Sequence, residues 1–218
     1  MLKRFVMGAA PVLLAGLLSV TPAAAQNGDG HGLVAKATSE ASTMQADPQM
    51  RNLLARARGV LLVPEYGHGA FIIGGRGGEG VLLVRGRGGR WSNPAFFGLG
   101  GISIGFQAGG DAGQVAYILM SDGAVRQFEA GNNFSLNAGA GLNIVTYKAG
   151  EHVDLTRGDV VVWSNTTGAF GGADVGATDV NYDGRLTGDF YGQPDVGIRD
   201  VLDGRVRNPE GKELQNAL

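Results

Sequence analysis

Across residues 57–110, short β-branched runs alternate with clusters of glycine, and this pattern restricts the chain to closely spaced strands joined by tight turns. The runs fall at 59–64, 70–73, 81–84 and 102–106, and 16 of the 44 residues from Gly67 to Gly110 are glycine. Glycine enters positive-φ turn positions without the steric penalty of a Cβ, so a strand–turn–strand series is the economical reading. The runs lie too close together for crossover helices, which argues against parallel βαβ units. The expected fold class is α+β: a mainly antiparallel Gly-rich β-sheet core with short flanking helices in a single domain.

Helical signals lie on either side of this region. Leu33, Val34, Ala37 and Ala41 recur at helical spacing over 33–43. Asp47-Pro48 reads as a helix start, with Asp capping the first amides and Pro at the first helical position. Met50, Leu53, Leu54 and Ala57 then form one apolar face, with Arg51, Arg56 and Arg58 largely off it, and the helix is expected to stop near Gly59. Further strands are expected at 114–120, 134–140, 142–148, 160–165 and 169–180. A helix capped by Ser121-Asp122 should run to Phe128, another from Pro194 to Leu202, and a last one from Asn208-Pro209 to Leu218.

The N-terminus reads as a targeting segment. Lys3 and Arg4 precede an apolar stretch over 5–20, and Ala23-Ala24-Ala25 offers a small-residue cleavage site. The stretch is about 16 residues long and broken by Pro11, short of the roughly 20 that a spanning helix needs. The expectation is therefore a cleavable signal peptide over 1–25, cut after Ala25, a single domain over 26–218, and a periplasmic or secreted location. Cysteine is absent, which excludes disulfides, thiolate metal sites and a lipidated cysteine.

Removing 25 residues from 218 leaves 193, and removing Lys3 and Arg4 leaves 16 basic against 20 acidic residues, a net charge of −4. That charge is unevenly spread. Residues 51–90 hold seven arginines against Glu65 and Glu79, whereas residues 151–218 hold twelve acids against six bases. An anionic surface would attract the first region and repel the second. Trp91-Ser-Asn-Pro-Ala-Phe-Phe97 adds aromatic bulk directly after Arg85, Arg87 and Arg90. Trp at a membrane interface beside Arg on lipid phosphate is effective docking chemistry. The candidate lipid-binding residues are therefore Arg51, Arg56, Arg58, Arg85, Arg87, Arg90 and Trp91. Phe96 and Phe97 read instead as core, core filling is the alternative for Trp91, and solvated strand edges and turns are the alternative for the arginines.

Other motifs carry less. The sequence from Gly75 to Gly80 matches G-x-G-x-x-G, but the residues after it read as a strand where a dinucleotide site needs a helix. Asp179, Asn181, Asp183 and Gly184 copy the opening of a calcium loop, yet Phe190 stands where the bidentate Glu belongs, so a turn between two strands is expected. His31, His68 and His152 have no metal spacing, and no nucleophile motif occurs. No cofactor, metal, catalytic residue or nucleic-acid partner is expected.

The order of motifs resembles the SYLF lipid-binding domain family. Ala57-Arg-Gly-Val-Leu-Leu-Val-Pro64 is followed by the glycine-rich 74–85 segment, Trp91-Ser-Asn-Pro-Ala-Phe96 and Ser103-Ile-Gly-Phe-Gln-Ala-Gly109. In the second half, the 161–172 segment with Trp163-Ser164, Asn181-Tyr182 and Phe190-Tyr191-Gly192 are similar to the family's later elements, so the likeness covers about residues 36–205. The resemblance implies a non-enzymatic module that binds anionic phospholipid headgroups. In eukaryotic relatives it implies phosphoinositides and a link to actin. A structural or protein-interaction domain of the cell envelope, with a protein partner and no lipid ligand, is the alternative.

Overall fold

A computed structural model describes residues 29–68, 76–86, 88–103, 113–131, 133–136, 141–147, 158–165 and 176–218. Helices α1 (Gly30–Ala46) and α2 (Pro48–Arg56) lead into strands β1 (Gly59–His68), β2 (Arg76–Val84), β3 (Ala95–Ser103) and β4 (Gly113–Leu119). Helix α3 (Asp122–Glu129) and the short strands β5 (Phe134–Leu136) and β6 (Ile144–Thr146) follow. The chain closes with β7 (Val160–Ser164), β8 (Gly176–Tyr182), α4 (Gly184–Tyr191), α5 (Ile198–Leu202) and α6 (Pro209–Ala217). The eight strands form one curled sheet in the order β5-β8-β3-β2-β1-β4-β7-β6. Every pairing is antiparallel except β6 with β7, so the expected α+β class holds.

The register sorts the side chains onto two faces, because paired residues share a face and successive residues alternate. Leu61 pairs with Leu82 and Tyr117, and Val60 with Leu83 and Ile118. Val60, Leu61, Leu62 and Val63 are all fully buried, so both faces are covered. On one face Phe96 meets Phe190 of α4 edge-on at 5.1 Å. On the other, Phe97 meets Phe128 of α3 at 5.2 Å and Tyr182 of β8 at 5.8 Å. Phe96 and Phe97 are thus core residues, as expected from the sequence.

Strand β1 runs further than its sequence suggests. The reading that ended it at Pro64 is corrected by a β-bulge: one extra residue between Val63 and Tyr66, counted against β4, lets the chain pass Pro64 and resume pairing. Proline lacks the amide that an unbroken ladder requires, and a bulge is where it can be tolerated within a sheet. The bulge brings β1 unusually close to β2. A Cβ on Gly78 would lie 2.8 Å from the Glu65 carbonyl oxygen and 3.0 Å from Val63 Cγ1. A second bulge, in β8, holds Asp179 at φ 50°.

Two other boundaries differ from expectation. The first helix spans Gly30–Ala46, longer than 33–43 because Asp29 caps it through the His31 amide. The segment from Asp179 is not a turn between strands: β8 continues to Tyr182 and α4 starts directly after Asp183, whose carboxylate accepts from the Leu186 amide. Leu186 and Phe190 are buried one turn apart, and Gly192 closes the helix in the left-handed conformation. The helix expected from Pro194 starts only at Ile198. The candidate leader over 1–25 and the strand expected at 70–73 lie outside the described residues. So do parts of those expected at 102–106, 134–140, 142–148 and 169–180.

Gly78→Ala is expected to destabilise the protein by about 1–3 kcal/mol through forced overpacking of the bulge. Gly98→Ala on the neighbouring strand meets nothing within 4 Å. It is expected to be neutral or to stabilise by up to about 1 kcal/mol, since glycine is a poor strand residue. Urea denaturation of the two variants checks both.

Candidate functional site

Helix α2 carries the first candidate side chains. Asp47 accepts hydrogen bonds from the Gln49 and Met50 amides at 2.8 and 3.2 Å, Pro48 occupies the first turn, and Met50, Leu53 and Leu54 bury one face. Arg51, Asn52, Ala55 and Arg56 are left exposed on the other. Arg51 Nε donates to the Gln45 carbonyl and Arg56 Nε to that of Asn52, which holds each guanidinium by its inner nitrogen and leaves the terminal Nη groups to face outward. The Asp47 cap is reinforced by Tyr147, whose hydroxyl donates to the second carboxyl oxygen at 2.6 Å. Burial raises the Asp47 pKa, but the Tyr147 hydroxyl and the two amides outweigh it and hold the group below its ordinary value. Burial and the Asp47 carboxylate push Tyr147 up to about 12.

Where α2 ends, the sheet begins, and here the arginines converge. The Arg58 amide donates to the Leu119 carbonyl and its own carbonyl accepts from the Arg85 amide, each at 2.7 Å, so Arg58 and Arg85 stand side by side on neighbouring chains. The Arg85 guanidinium donates through Nη1 to the Gly89 carbonyl at 2.6 Å and through Nη2 to the Leu54 carbonyl at 3.1 Å. It also lies over the Trp91 ring, 4.2 Å from the centroid, across an isolated antiparallel bridge. Its Nε is buried without a partner, and burial lowers the guanidinium pKa from its ordinary value. Gly88 and Gly89, at φ 94° and 75°, turn the chain back to the exposed Arg90.

The structure thus brings Arg56, Arg58, Arg85, Arg90 and Trp91 to one end of the sheet. Arg51 lies further back along α2, and Arg87 lies outside the described residues. Among the described residues, the only carboxylate within ion-pair reach of these arginines is Asp122, 3.5 Å from Arg58 Nε, with both side chains mostly exposed. Such a pair contributes little stability, about 0–1 kcal/mol. The end is therefore a net cationic surface with one half-buried aromatic ring.

The other motifs resolve differently. The strand β2 occupies 76–84 and is followed by β3, so no helix stands after the G-x-G-x-x-G segment to receive a pyrophosphate. Asp183 of the calcium-like loop is engaged as the α4 cap, and Phe190 is buried in that helix. Among the described residues, no group of three or more His, Asp or Glu is arranged to hold a metal ion.

Sequence reasoning missed Glu40. It lies on α1 among Leu33, Ala37, Ala41 and Met44, is 0% exposed, and neither carboxyl oxygen has a hydrogen-bond partner. Burial raises its pKa well above the ordinary value, and the Val63 amide at the bulge opposes this without reaching hydrogen-bond geometry. The signal was present: Glu40 stands three residues after Ala37 and four before Met44, in the middle of an apolar stripe.

The signs of these shifts give two expected outcomes. An acid with a raised folded-state pKa loses stability as pH climbs from about 4 toward that value. Glu40→Gln should therefore raise Tm above that of the parent by a gap that widens with pH from about 4 upward, read by thermal melts across pH. Asp47 is the opposite case, with stability present above its unfolded pKa and lost as pH falls through the lower folded value. Asp47→Ala should cost about 1–2 kcal/mol at neutral pH, a deficit that shrinks in urea titrations below about pH 4.

Comparison with known proteins adds the lineage. A family profile described as "Las17-binding protein actin regulator", Ysc84, matches residues 100–218. SH3 domain-containing YSC84-like protein 1 of Xenopus laevis is 30% identical over 176 residues, covering 77% of this chain and 51% of its own. The Homo sapiens protein of the same name is 26% identical over 167 residues, covering 74% and 48%. Protein YSC84 of Saccharomyces cerevisiae is 29% identical over 163 residues, covering 72% and 34%. The chain spans about half the length of the first of these relatives, and a third of the yeast one.

Proposed function

The chain belongs to the Ysc84 family, the one its motif order resembles under the name SYLF, and from that premise we propose that it is a non-enzymatic binding module for membrane surfaces carrying anionic phospholipid headgroups. The observation that carries this reading is the concentration of Arg56, Arg58, Arg85 and Arg90 beside Trp91, with Asp122 as the lone facing carboxylate among the described residues. Basic side chains at an anionic lipid surface contribute about 1 kcal/mol each. Four or five together supply a useful affinity only when they face the same plane. The acidic half of the chain opposes general adsorption, so docking through this end orients the molecule. The leader read over residues 1–25 supports an exported protein, periplasmic or secreted, acting at an envelope membrane. Membrane docking asks for no catalytic group, and none is assigned.

A second reading is a protein-interaction domain of the envelope. The family description, which speaks of Las17 binding, favours a protein partner. For this reading the cationic end would meet an acidic protein surface.

Co-sedimentation with phosphatidylglycerol-containing and pure phosphatidylcholine vesicles tests the proposal, using both the full chain and the chain starting at Gln26. Capture only by the anionic vesicles is expected, weakening as salt shortens the screening length from about 10 Å toward 3 Å. Arg56→Ala with Arg90→Ala should lower affinity by more than tenfold. Absence of capture by either vesicle overturns the lipid reading and leaves the protein partner.

A further inference from the structure

Arg85 differs from its cationic neighbours in what its side chain already does. Its two terminal nitrogens donate to carbonyls on separate elements: Leu54 at the C-terminal end of α2, and Gly89 in the β2–β3 turn. The carbonyl end of a helix is the negative end of its dipole and stabilises a cation there. The flat guanidinium meanwhile covers one part of the Trp91 indole at 4.2 Å, a cation–π arrangement. The residue following the indole is fixed as well: Ser92 Oγ accepts from the Val84 amide, and its carbonyl accepts from Gln215. Trp91 is therefore a rigidly held aromatic side chain, partly exposed, next to Arg90, which has no bonded partner for its side chain among the described residues.

Resting on the membrane reading above, we propose that Arg85 is a positioning residue that braces Trp91 for insertion at the lipid interface, while headgroup phosphate is met by Arg56 and Arg90. The division of labour follows from chemistry. A guanidinium already forked onto two carbonyls and stacked on a ring has little freedom to follow a mobile headgroup. An exposed arginine held only through Nε, or not at all, keeps its terminal Nη donors available. A ring that is ordered before docking loses less conformational freedom on binding than a mobile one. Lysine at position 85 would keep the charge but lose the planar fork and the stack.

Trp91 can be read alone, because the only other tryptophan is the buried Trp163. In full-length Trp163→Phe protein, phosphatidylglycerol vesicles should blue-shift Trp91 emission, and brominated acyl chains should quench it. Adding Arg85→Lys should abolish the blue shift and the quenching even where vesicles still capture the protein. Arg90→Ala should instead weaken capture about fivefold and flatten its salt dependence, with the emission shift retained on the bound fraction. Trp91→Leu, in the parent, should lose affinity at an unchanged salt slope, and it decides the matter if the Arg85 variant fails to fold by circular dichroism. Capture with unchanged Trp91 emission, an Arg85→Lys protein that shifts like the parent, or full affinity in Trp91→Leu would overturn the brace while leaving lipid binding intact. No capture of any form would instead remove the membrane reading on which the proposal rests.

Discussion

A stretch of strand with no polar face sets the terms for this molecule. Val60 to Val63 are fully buried on both sides of β1, and β1 lies between β2 and β4 in the interior of the sheet. Each face must then be covered by something apolar. Helices α1 and α4 supply the cover on the Phe96 side, through contacts such as Gly30 against Phe190 and Phe96. On the Phe97 side, α3 and the curl of the sheet supply it through the Phe128, Phe134 and Tyr182 rings. Burial of aromatic rings is the largest favourable contribution per residue available to a chain without disulfides, and edge-to-face pairs add to it. The cationic end is a by-product of the same arrangement, because α2 must finish where β1 begins.

The central strands were legible because alternating glycine clusters and β-branched runs leave few other conformations. The starts of α2, α3 and α6 were equally legible, since Asp47, Ser121 and Asn208 each cap the helix that their side chains announce. What the sequence hid was long-range. Pro64 reads as a stop, and only the Gly78 position, with no Cβ to obstruct the bulged backbone, lets the strand go on. Helix α4 was masked by a calcium-loop likeness, although Leu186 and Phe190 showed the one-turn spacing. At the candidate site, the sequence named the arginines and Trp91 but gave no reason for them to meet. Their convergence depends on a hydrogen bond from Arg85 to Arg58, 27 positions apart, which no local pattern encodes.

Two charged side chains show how differently burial can be handled. Arg85 loses part of its hydration and leaves Nε unpartnered, yet gains two carbonyl acceptors and an aromatic face, so its charge is largely compensated where it sits. Glu40 loses all of its hydration and gains no hydrogen bond, and its neutral form is the one that fits beneath α1. The first arrangement stiffens the junction of α2 with the sheet. The second places a weak point in the seating of α1, immediately beside the bulge that β1 requires.

Among the described residues, the outermost strands of the sheet are β5 and β6, with three residues each. An outer strand that short exposes few unpaired backbone groups, so a neighbouring chain finds little on which to extend the ladder. Along these described segments, a Gly-rich sheet is thereby protected against edge-to-edge aggregation. On the described edges, recognition is left to side chains, and the arginine-bearing end is where they are gathered.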